Sequence, residues 1–275
     1  MRYKILGLLG LLSLASLQNL QAQVVEGYHL VWNDEFDHGD TPDTTKWQFE
    51  EGYKRNHEWQ YYQKDNARIH DGILTITARP EDGSRIVEGK KLECTSSSIN
   101  TRGKFEFLYG RMEVRARIPY SKGAWPAIWL LGSTWEWPSG GEIDVMEFYH
   151  KQGIPHILAN FAYGTNQRWN AAWKPQAIPY SHFLEKDPYF CDKFHVWRMD
   201  WDEKEISIYL DDELLNKVNV DDTRNQKLGD YKSPFRTPQY ILLNLAMGGD
   251  NGGEVDMSSL PVCYDIDYVR VYKKN

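Results

Sequence analysis

A short acidic segment, EIDVME at residues 142–147, carries the side chains best suited to acid–base chemistry. In a β-strand, side chains alternate between two faces, so Glu142 and Asp144 share one face while Ile143 and Val145 point into the core. A regular strand would also bury Glu147, which is costly for an unpaired carboxylate. One β-bulge between Asp144 and Glu147 returns Glu147 to the acidic face.

The two glutamates then have the spacing that a pair of catalytic carboxyls needs. Their Cα atoms lie about 13 Å apart, at ~3.3 Å per strand step. The side chains can lean together until the carboxyls are ~5 Å apart, as the nucleophile and acid/base of a retaining glycosidase require. Repulsion between the acids and their partial burial raise the pKa of at least one carboxyl, as a general acid requires. Asp144 can tune the nucleophile through a hydrogen bond. A solvated acidic strand face and a calcium site are the alternatives.

An aromatic segment just upstream favours a sugar-binding site. In Trp125-Pro126-Ala127-Ile128-Trp129 the two indoles are four residues apart, so they share a strand face with a small residue between them. Exposed indoles beside carboxylates make a platform for the apolar face of a pyranose. Two core tryptophans are the alternative.

The rest of the chain predicts an all-β sandwich or jelly roll. Alternating runs separated by turn residues favour strands at 73–78, 111–117, 206–210, 240–245 and 266–272. Convincing long helices are absent from the pattern. The stretch 165–195, rich in Trp, Pro and Asn, is predicted to be a long irregular loop over one face.

Composition narrows the class of partner. The chain has 275 residues and a net charge of −7, which argues against nucleic acid and disfavours a highly anionic polysaccharide. Its 11 Trp and 17 Tyr exceed what a core requires. Three cysteines allow at most one disulfide, and no cysteine–histidine cluster suggests a metal site.

The N-terminus resembles a signal peptide. Arg2 and Lys4 precede a short apolar run, and Leu20-Gln21-Ala22 resembles a cleavage site. The run is shorter than the roughly 20 residues that span a bilayer, and no cysteine for a lipid anchor follows it. We therefore expect a signal peptide at 1–22, one catalytic domain at 23–275, no membrane anchor, and a secreted or periplasmic monomer.

Several further segments match one known family. They are WNDEFD at 32–37, NHEWQYY at 56–62, YGRMEVRA at 109–116, NLAMGG at 244–249 and DYVRVY at 267–272. Together with residues 125–129 and the bulged acidic segment, they make the chain resemble glycoside hydrolase family 16 over nearly all of its mature length. Within that family, the chain most resembles laminarinase-type β-1,3-glucanases.

The resemblance implies a concanavalin-like β-jelly-roll with a concave substrate groove and an endo-acting, retaining hydrolase that needs no cofactor for catalysis. It implies that Glu142 is the nucleophile, Glu147 the acid/base and Asp144 the assisting acid. The implied contacts to a β-linked oligo- or polysaccharide come from Glu58, Arg115, Trp125, Trp129, Trp137 and Asn244.

A structural calcium ion is common on the convex side of this fold. The segments of Glu35 and Asp267 would supply its oxygen ligands, with the Gly72 carbonyl. Two solvated acids are the alternative.

One departure bears on the substrate. Laminarinase-like members usually carry a Thr-x-His-aromatic-Gly segment after the acidic strand, and here Ala162 replaces the histidine. An endo-β-1,4-galactosidase acting on mucin O-glycans or on poly-N-acetyllactosamine or keratan-type chains is the alternative activity. A transglycosylase and a catalytically inactive lectin are the other rivals, and two facing glutamates favour the enzyme over the lectin.

Overall fold

The computed structural model describes residues 25–275, so the predicted signal peptide at 1–22 lies outside the described residues. Nineteen strands are found in this part of the chain, numbered β1 to β19 in chain order. They are Tyr28–Asp34, Gln48–Phe49, Gln60–Tyr62, Ala67–His70, Ile73–Pro80, Ile86–Val87, Lys90–Lys91, Cys94–Ser96, Ser98–Asn100, Gly110–Arg117, Ala124–Gly132, Glu142–Lys151, Ile154–Gly164, Ala171–Pro179, His195–Trp201, Glu205–Leu210, Glu213–Asn219, Gln239–Met247 and Val262–Lys274.

Helices in the described residues are short. Two are α-helical, α1 at Ser181–Lys186 and α2 at Gly249–Gly252. The 3₁₀ helices are Lys64–Asn66, Phe190–Asp192, Val220–Asp222, Lys227–Gly229, Pro234–Arg236 and Met257–Ser259. None of these helices is long and apolar enough to cross a membrane.

Two large sheets form a sandwich, which confirms the all-β prediction. The first sheet has the order β17-β16-β15-β10-β19-β5-β8-β3, with β1 paired to β19 and β4 to β5. The second has the order β14-β13-β12-β11-β18-β9-β2. Strands β6 and β7 form a separate hairpin. The five strand segments predicted from alternation fall within β5, β10, β16, β18 and β19.

The core lies between the two sheets and is built from the alternation that the sequence shows. Met112 and Val114 of β10, Ile128 of β11 and Ile143 of β12 belong to one core cluster, and all four side chains are fully buried. The opposite face of the second sheet is free to carry polar and aromatic groups. That face holds the acidic segment.

The prediction of an irregular loop at 165–195 is wrong. Residues 171–179 form β14, the edge strand of the second sheet, and α1 follows it directly. The strand was hidden because its sequence, AAWKPQAIP, lacks a clear apolar alternation and contains Pro175. Proline is tolerated there because β14 is an edge strand.

Candidate active site

The bulge predicted in the acidic strand is present. Between β12 and β13, Asp144 pairs with Asn160 and Glu147 pairs with Leu158, so three steps on β12 oppose two steps on β13. The extra residue lets both Val145 and Met146 point into the core, where each is fully buried. The three carboxyl groups consequently share the outer face of the sheet.

The three carboxyls line a cavity of about 930 Å³ on that face. Its floor comes from β11, β12, β13 and β18, and one side is formed by residues of the β11–β12 and β13–β14 connections. Its lining residues are Arg55, Asn56, Glu58, Trp125, Ala127, Trp129, Leu131, Trp137, Glu142, Asp144, Glu147, Tyr149, Lys151, Leu158, Asn160, Trp169, Trp173, Pro175, Ala177, Asn244 and Asn251. The aromatic and acidic character of this lining suits a neutral carbohydrate chain.

Glu147 has the environment of a general acid. Burial raises its pKa to about 7, and the charge of Glu142 acts in the same direction. Two hydrogen bonds oppose this rise by favouring the carboxylate: Trp125 Nε1 donates to Oε1 at 2.8 Å, and Asn160 Nδ2 donates to Oε2 at 2.8 Å. A carboxyl with this pKa can hold a proton near neutral pH and also release it.

Opposing effects act on the pKa of Glu142. Burial raises its pKa, while hydrogen bonds from Trp137 and Asp144 pull the pKa down. Trp137 Nε1 donates to Glu142 Oε2. The two glutamates are thus held by donors from different parts of the fold.

Asp144 lies between the two glutamates and is fully enclosed. Burial raises its pKa well above the usual range, and the charges of Glu142 and Glu147 raise it further. Asn160 Nδ2 also donates to Asp144 Oδ2, at 3.2 Å. A protonated Asp144 can donate its proton in a hydrogen bond to the Glu142 carboxylate, which is the arrangement that the two pKa shifts favour.

Trp125 and Trp129 lie on the groove face of β11, as the spacing predicts, but the expectation that their rings are exposed is wrong. They are 6% and 8% exposed. Trp125 packs edge-to-face on Tyr149 at 5.7 Å, and the Arg55 guanidinium lies 5.3 Å from the centre of the Trp129 ring. The exposed indoles of the groove are instead Trp169 and Trp173, at 56% and 44%.

Glu58 and Asn244 line the cavity and belong to one buried hydrogen-bond network. Trp129 Nε1 donates to Asn244 Oδ1 at 2.7 Å, and Asn244 Nδ2 donates to the Tyr62 hydroxyl at 3.0 Å. That hydroxyl donates to Glu58 Oε2 at 3.3 Å, and Gln60 Nε2 donates to the same oxygen at 2.7 Å. This network fixes the Trp129 ring beside the carboxyls.

The prediction that Arg115 contacts the sugar is wrong. Arg115 is on β10, in the first sheet, and its neighbours Val114 and Ala116 are the residues that face the core. Its side chain therefore points away from the groove, where it forms an ion pair with Asp267 and stacks over Phe194. Alternation predicts the face of a strand but not the sheet to which the strand belongs.

The proposed calcium ligands do not fit a cation. Both Glu35 carboxylate oxygens accept hydrogen bonds from Arg270, at 2.9 and 2.7 Å, and Asp267 is paired with Arg115. A guanidinium at each carboxylate repels a divalent ion. Within residues 25–275, no group of three or more His, Cys, Asp or Glu side chains is arranged to hold a metal. Cys94, Cys191 and Cys263 are all free thiols.

Two functional candidates escaped the sequence reasoning. Asn160 touches both Asp144 and Glu147, and Tyr62 links Glu58 to Asn244. The register of β12 against β13 is the signal that would have found Asn160, because it lies directly opposite Asp144.

Comparison with known proteins agrees with this fold and site. The model for glycosyl hydrolases family 16 matches residues 53–270. A β-glucanase from Rhodothermus marinus is 37% identical over 270 residues, covering 90% of this chain and 85% of the relative.

Two solved structures are also similar. The laminarinase catalytic domain from Thermotoga maritima superposes with a TM-score of 0.77 and 34% identity, over 91% of this chain and 100% of that one. A structure from work on endo-acting O-glycanases of the human gut microbiota that initiate mucin breakdown gives a TM-score of 0.78 and 33% identity, over 92% and 93%.

A β-sandwich whose outer face carries three carboxyls among indoles has the groups that a glycoside hydrolase requires. The chain belongs to glycosyl hydrolases family 16, and its fold is the β-jelly-roll of that family.

Proposed function

We propose that this protein is a retaining endo-β-1,3-glucanase of the laminarinase type, in which Glu142 is the nucleophile, Glu147 the acid/base and Asp144 the assisting acid. The observation that carries the role assignment is the placement of Glu147 in the same groove as Glu142, buried and held by Trp125 and Asn160, where burial raises its pKa to about 7. The proposed substrate is supported by the similarity of this chain to a β-glucanase and to a laminarinase catalytic domain.

The reaction runs in two steps. Glu142 attacks the anomeric carbon, the bond from that carbon to the glycosidic oxygen breaks, and Glu147 gives its proton to that oxygen. Water then attacks the anomeric carbon of the glycosyl ester and passes a proton to Glu147, while Glu142 leaves as a carboxylate. Two displacements at one carbon give net retention, and neither step requires a cofactor. The ~5 Å approach of the two carboxyls stays a prediction.

The role assignment is tested with Glu142→Ala and Glu147→Ala. We expect each to abolish cleavage while the fold persists. Azide should rescue Glu142→Ala and give an inverted glycosyl azide, because it enters from the face that the nucleophile vacates. Rescue of only Glu147→Ala, with retention, would reverse the two roles. Full activity of both variants would place the chemistry elsewhere.

A second substrate class is favoured by one residue of β13. Ala162, which replaces the expected histidine, pairs with Glu142 on one side and with Trp173 on the other, and its methyl group is fully buried. An endo-β-1,4-galactosidase acting on galactose-containing host glycans is the second candidate, and it is supported by the similarity to the mucin-degrading structure.

One screen separates the candidates. Laminarin, mixed-linkage glucan, keratan sulfate and mucin O-glycans are digested in parallel, and early products are separated by size. We expect a ladder of oligosaccharides from laminarin with little monosaccharide. A ladder only from mucin O-glycans or keratan sulfate favours the galactosidase, early monosaccharide indicates exo action, and binding without turnover indicates a lectin. Sugar transfer at high acceptor concentration identifies a transglycosylase.

We also propose that the protein is secreted or periplasmic after removal of residues 1–22, and that it acts as a monomer without a membrane anchor. The charge and apolar pattern of the N-terminus supports the secretion part of this proposal, and the monomer stays a prediction. N-terminal sequencing of protein recovered from the culture medium and the periplasm should begin near Gln23, and a full-length chain in the membrane fraction would contradict it.

A further inference from the structure

The indole of Trp137 contacts the nucleophile proposed above rather than only the groove. Its Nε1 donates a hydrogen bond to Glu142 Oε2, and this bond lowers the pKa of Glu142 against the effect of burial. A donor to the carboxylate also stabilises Glu142 as the leaving group in the second step.

Trp137 is itself held by a second loop. The ring of Trp169 stacks on it, with centroids 6.4 Å apart and planes inclined by 20°. Trp169 adopts a backbone φ of +63°, a conformation that costs free energy for a bulky residue and is retained where the surroundings fix it. The Arg168 guanidinium also lies over the Trp169 ring, 5.0 Å from its centre.

An ion pair is the second contact between the two loops. Arg168 Nε and Nη2 donate to the two carboxylate oxygens of Glu136, each at 2.7 Å, and Glu136 is the residue before Trp137. The β11–β12 loop and the β13–β14 turn are therefore joined by a stack and a bidentate pair. We name Glu136, Trp137, Arg168 and Trp169 the indole clamp.

A buried amide joins the same two segments from below. Asn225, which is 2% exposed, accepts a hydrogen bond from Gly164 N at 2.6 Å and donates to the Ser139 carbonyl at 2.8 Å. Asn225 therefore links the loop that carries Trp137 to the end of β13. Such support is what holds a catalytic carboxylate in one geometry.

We propose that Trp137 is a positioning residue for Glu142, and that the indole clamp sets both the orientation and the proton affinity of the nucleophile. This inference rests on the proposed role of Glu142. It gives residues 136–137 and 168–169 a positioning role, in which only Trp137 contacts the proposed nucleophile.

The test is Trp137→Phe, which keeps a ring for stacking and removes the N–H. We expect the acidic limb of the kcat/KM profile, which reports the ionisation of Glu142, to move up by about one pH unit, a tenfold change in proton affinity. The basic limb, which reports Glu147, should stay in place. We expect kcat to fall about tenfold while KM changes less than threefold.

Trp135→Phe is the matched control. Trp135 is in the same loop, and the cavity-lining set among the described residues does not include it. Its substitution should leave both limbs where they are. Equal shifts in both variants would show a general effect of loosening the loop and would overturn the proposal.

The clamp itself is tested with Arg168→Gln, an exposed substitution that leaves the core intact. It should move the acidic limb in the same direction by a smaller amount. Combined with Trp137→Phe it should add nothing further, because Arg168 acts through Trp137. An additive effect, or no movement of the limb in either single variant, would refute the inference.

Failure of this inference is distinguishable from failure of the proposed function. Azide rescue of Glu142→Ala reports the role of Glu142 without reference to Trp137. If azide rescues that variant and the acidic limb of Trp137→Phe does not move, Glu142 is the nucleophile and the indole clamp does not set its orientation or proton affinity. If azide does not rescue it, the assignment of Glu142 falls first.

Discussion

The hydrogen bond from Asn160 to Glu147, the proposed acid/base, gives the sharpest prediction about pH. Asn160 is 5% exposed and donates to Glu147 Oε2 at 2.8 Å. This bond favours the ionised carboxylate and so lowers the Glu147 pKa that burial raises to about 7. Asn160→Ala removes the donor, and the Glu147 pKa should rise further.

The magnitude follows from the strength of the bond. A hydrogen bond to a charged group contributes about 1.5–3 kcal/mol, and one pKa unit corresponds to about 1.4 kcal/mol. The upper limit of the shift is therefore about two units. Trp125 continues to donate to the other oxygen, and water can enter the space that the amide leaves. We expect a shift of about one unit.

The assay is the pH dependence of kcat/KM with an unactivated oligosaccharide, because a sugar leaving group requires protonation. The basic limb should move from about pH 7 in the parent, the pKa of Glu147, to about 8 in the variant. Since the acid is then held by one donor instead of two, kcat at the optimum should fall.

The matched control is Asn244→Ala. Asn244 is also 5% exposed and lines the groove, but its amide contacts Trp129 and Tyr62 rather than a catalytic carboxyl. Its loss should weaken kcat/KM without moving the basic limb. A folded Asn160→Ala protein whose basic limb stays at pH 7 or moves to lower pH would refute the reasoning.

Three further results are expected. Glu147→Gln should stabilise the fold at high pH. Burial raises the pKa of Glu147 from 4.5 to about 7, so the ionised carboxylate costs the folded state up to about 3 kcal/mol. The gain in free energy of unfolding, measured with urea, should grow from pH 4.5 to 7 and then level off. Arg115→Ala should leave kcat/KM within twofold, because its side chain is on the outer face of the other sheet. Trp129→Phe should lower kcat/KM on long chains by roughly fivefold, because it removes a hydrogen bond of about 1 kcal/mol. A large fall in melting temperature with no change in kcat/KM would instead show a packing role.

The local part of the site was predictable because strand alternation and burial constrain it tightly. Glu147 cannot share a face with Ile143 and Val145 without leaving a carboxylate in the core, so a bulge was required, and the register of β12 against β13 contains it. The strands at 73–78 and 266–272 followed from the same alternation.

The parts that depend on pairing between distant strands were not predictable in this way. Alternation placed Arg115 correctly on the outward face of β10, yet nothing local indicates that β10 lies in the first sheet. Asn160 enters the site only through its register opposite Asp144. The burial of the two indoles on β11 depends on Arg55 and Tyr149, which arrive from other segments.

Burial and hydrogen-bond donors have opposite effects on the pKa values of the three carboxyls that share one buried face. Burial raises all three pKa values, and repulsion between carboxylates adds to the rise for Asp144 and Glu147. The opposing donors are Trp125 and Asn160 for Glu147 and Trp137 for Glu142. They come from β11, β13 and the loop before β12, so the pKa values needed for catalysis exist only when all three segments are assembled. Loss of any one donor should therefore change the pH profile before it changes the fold.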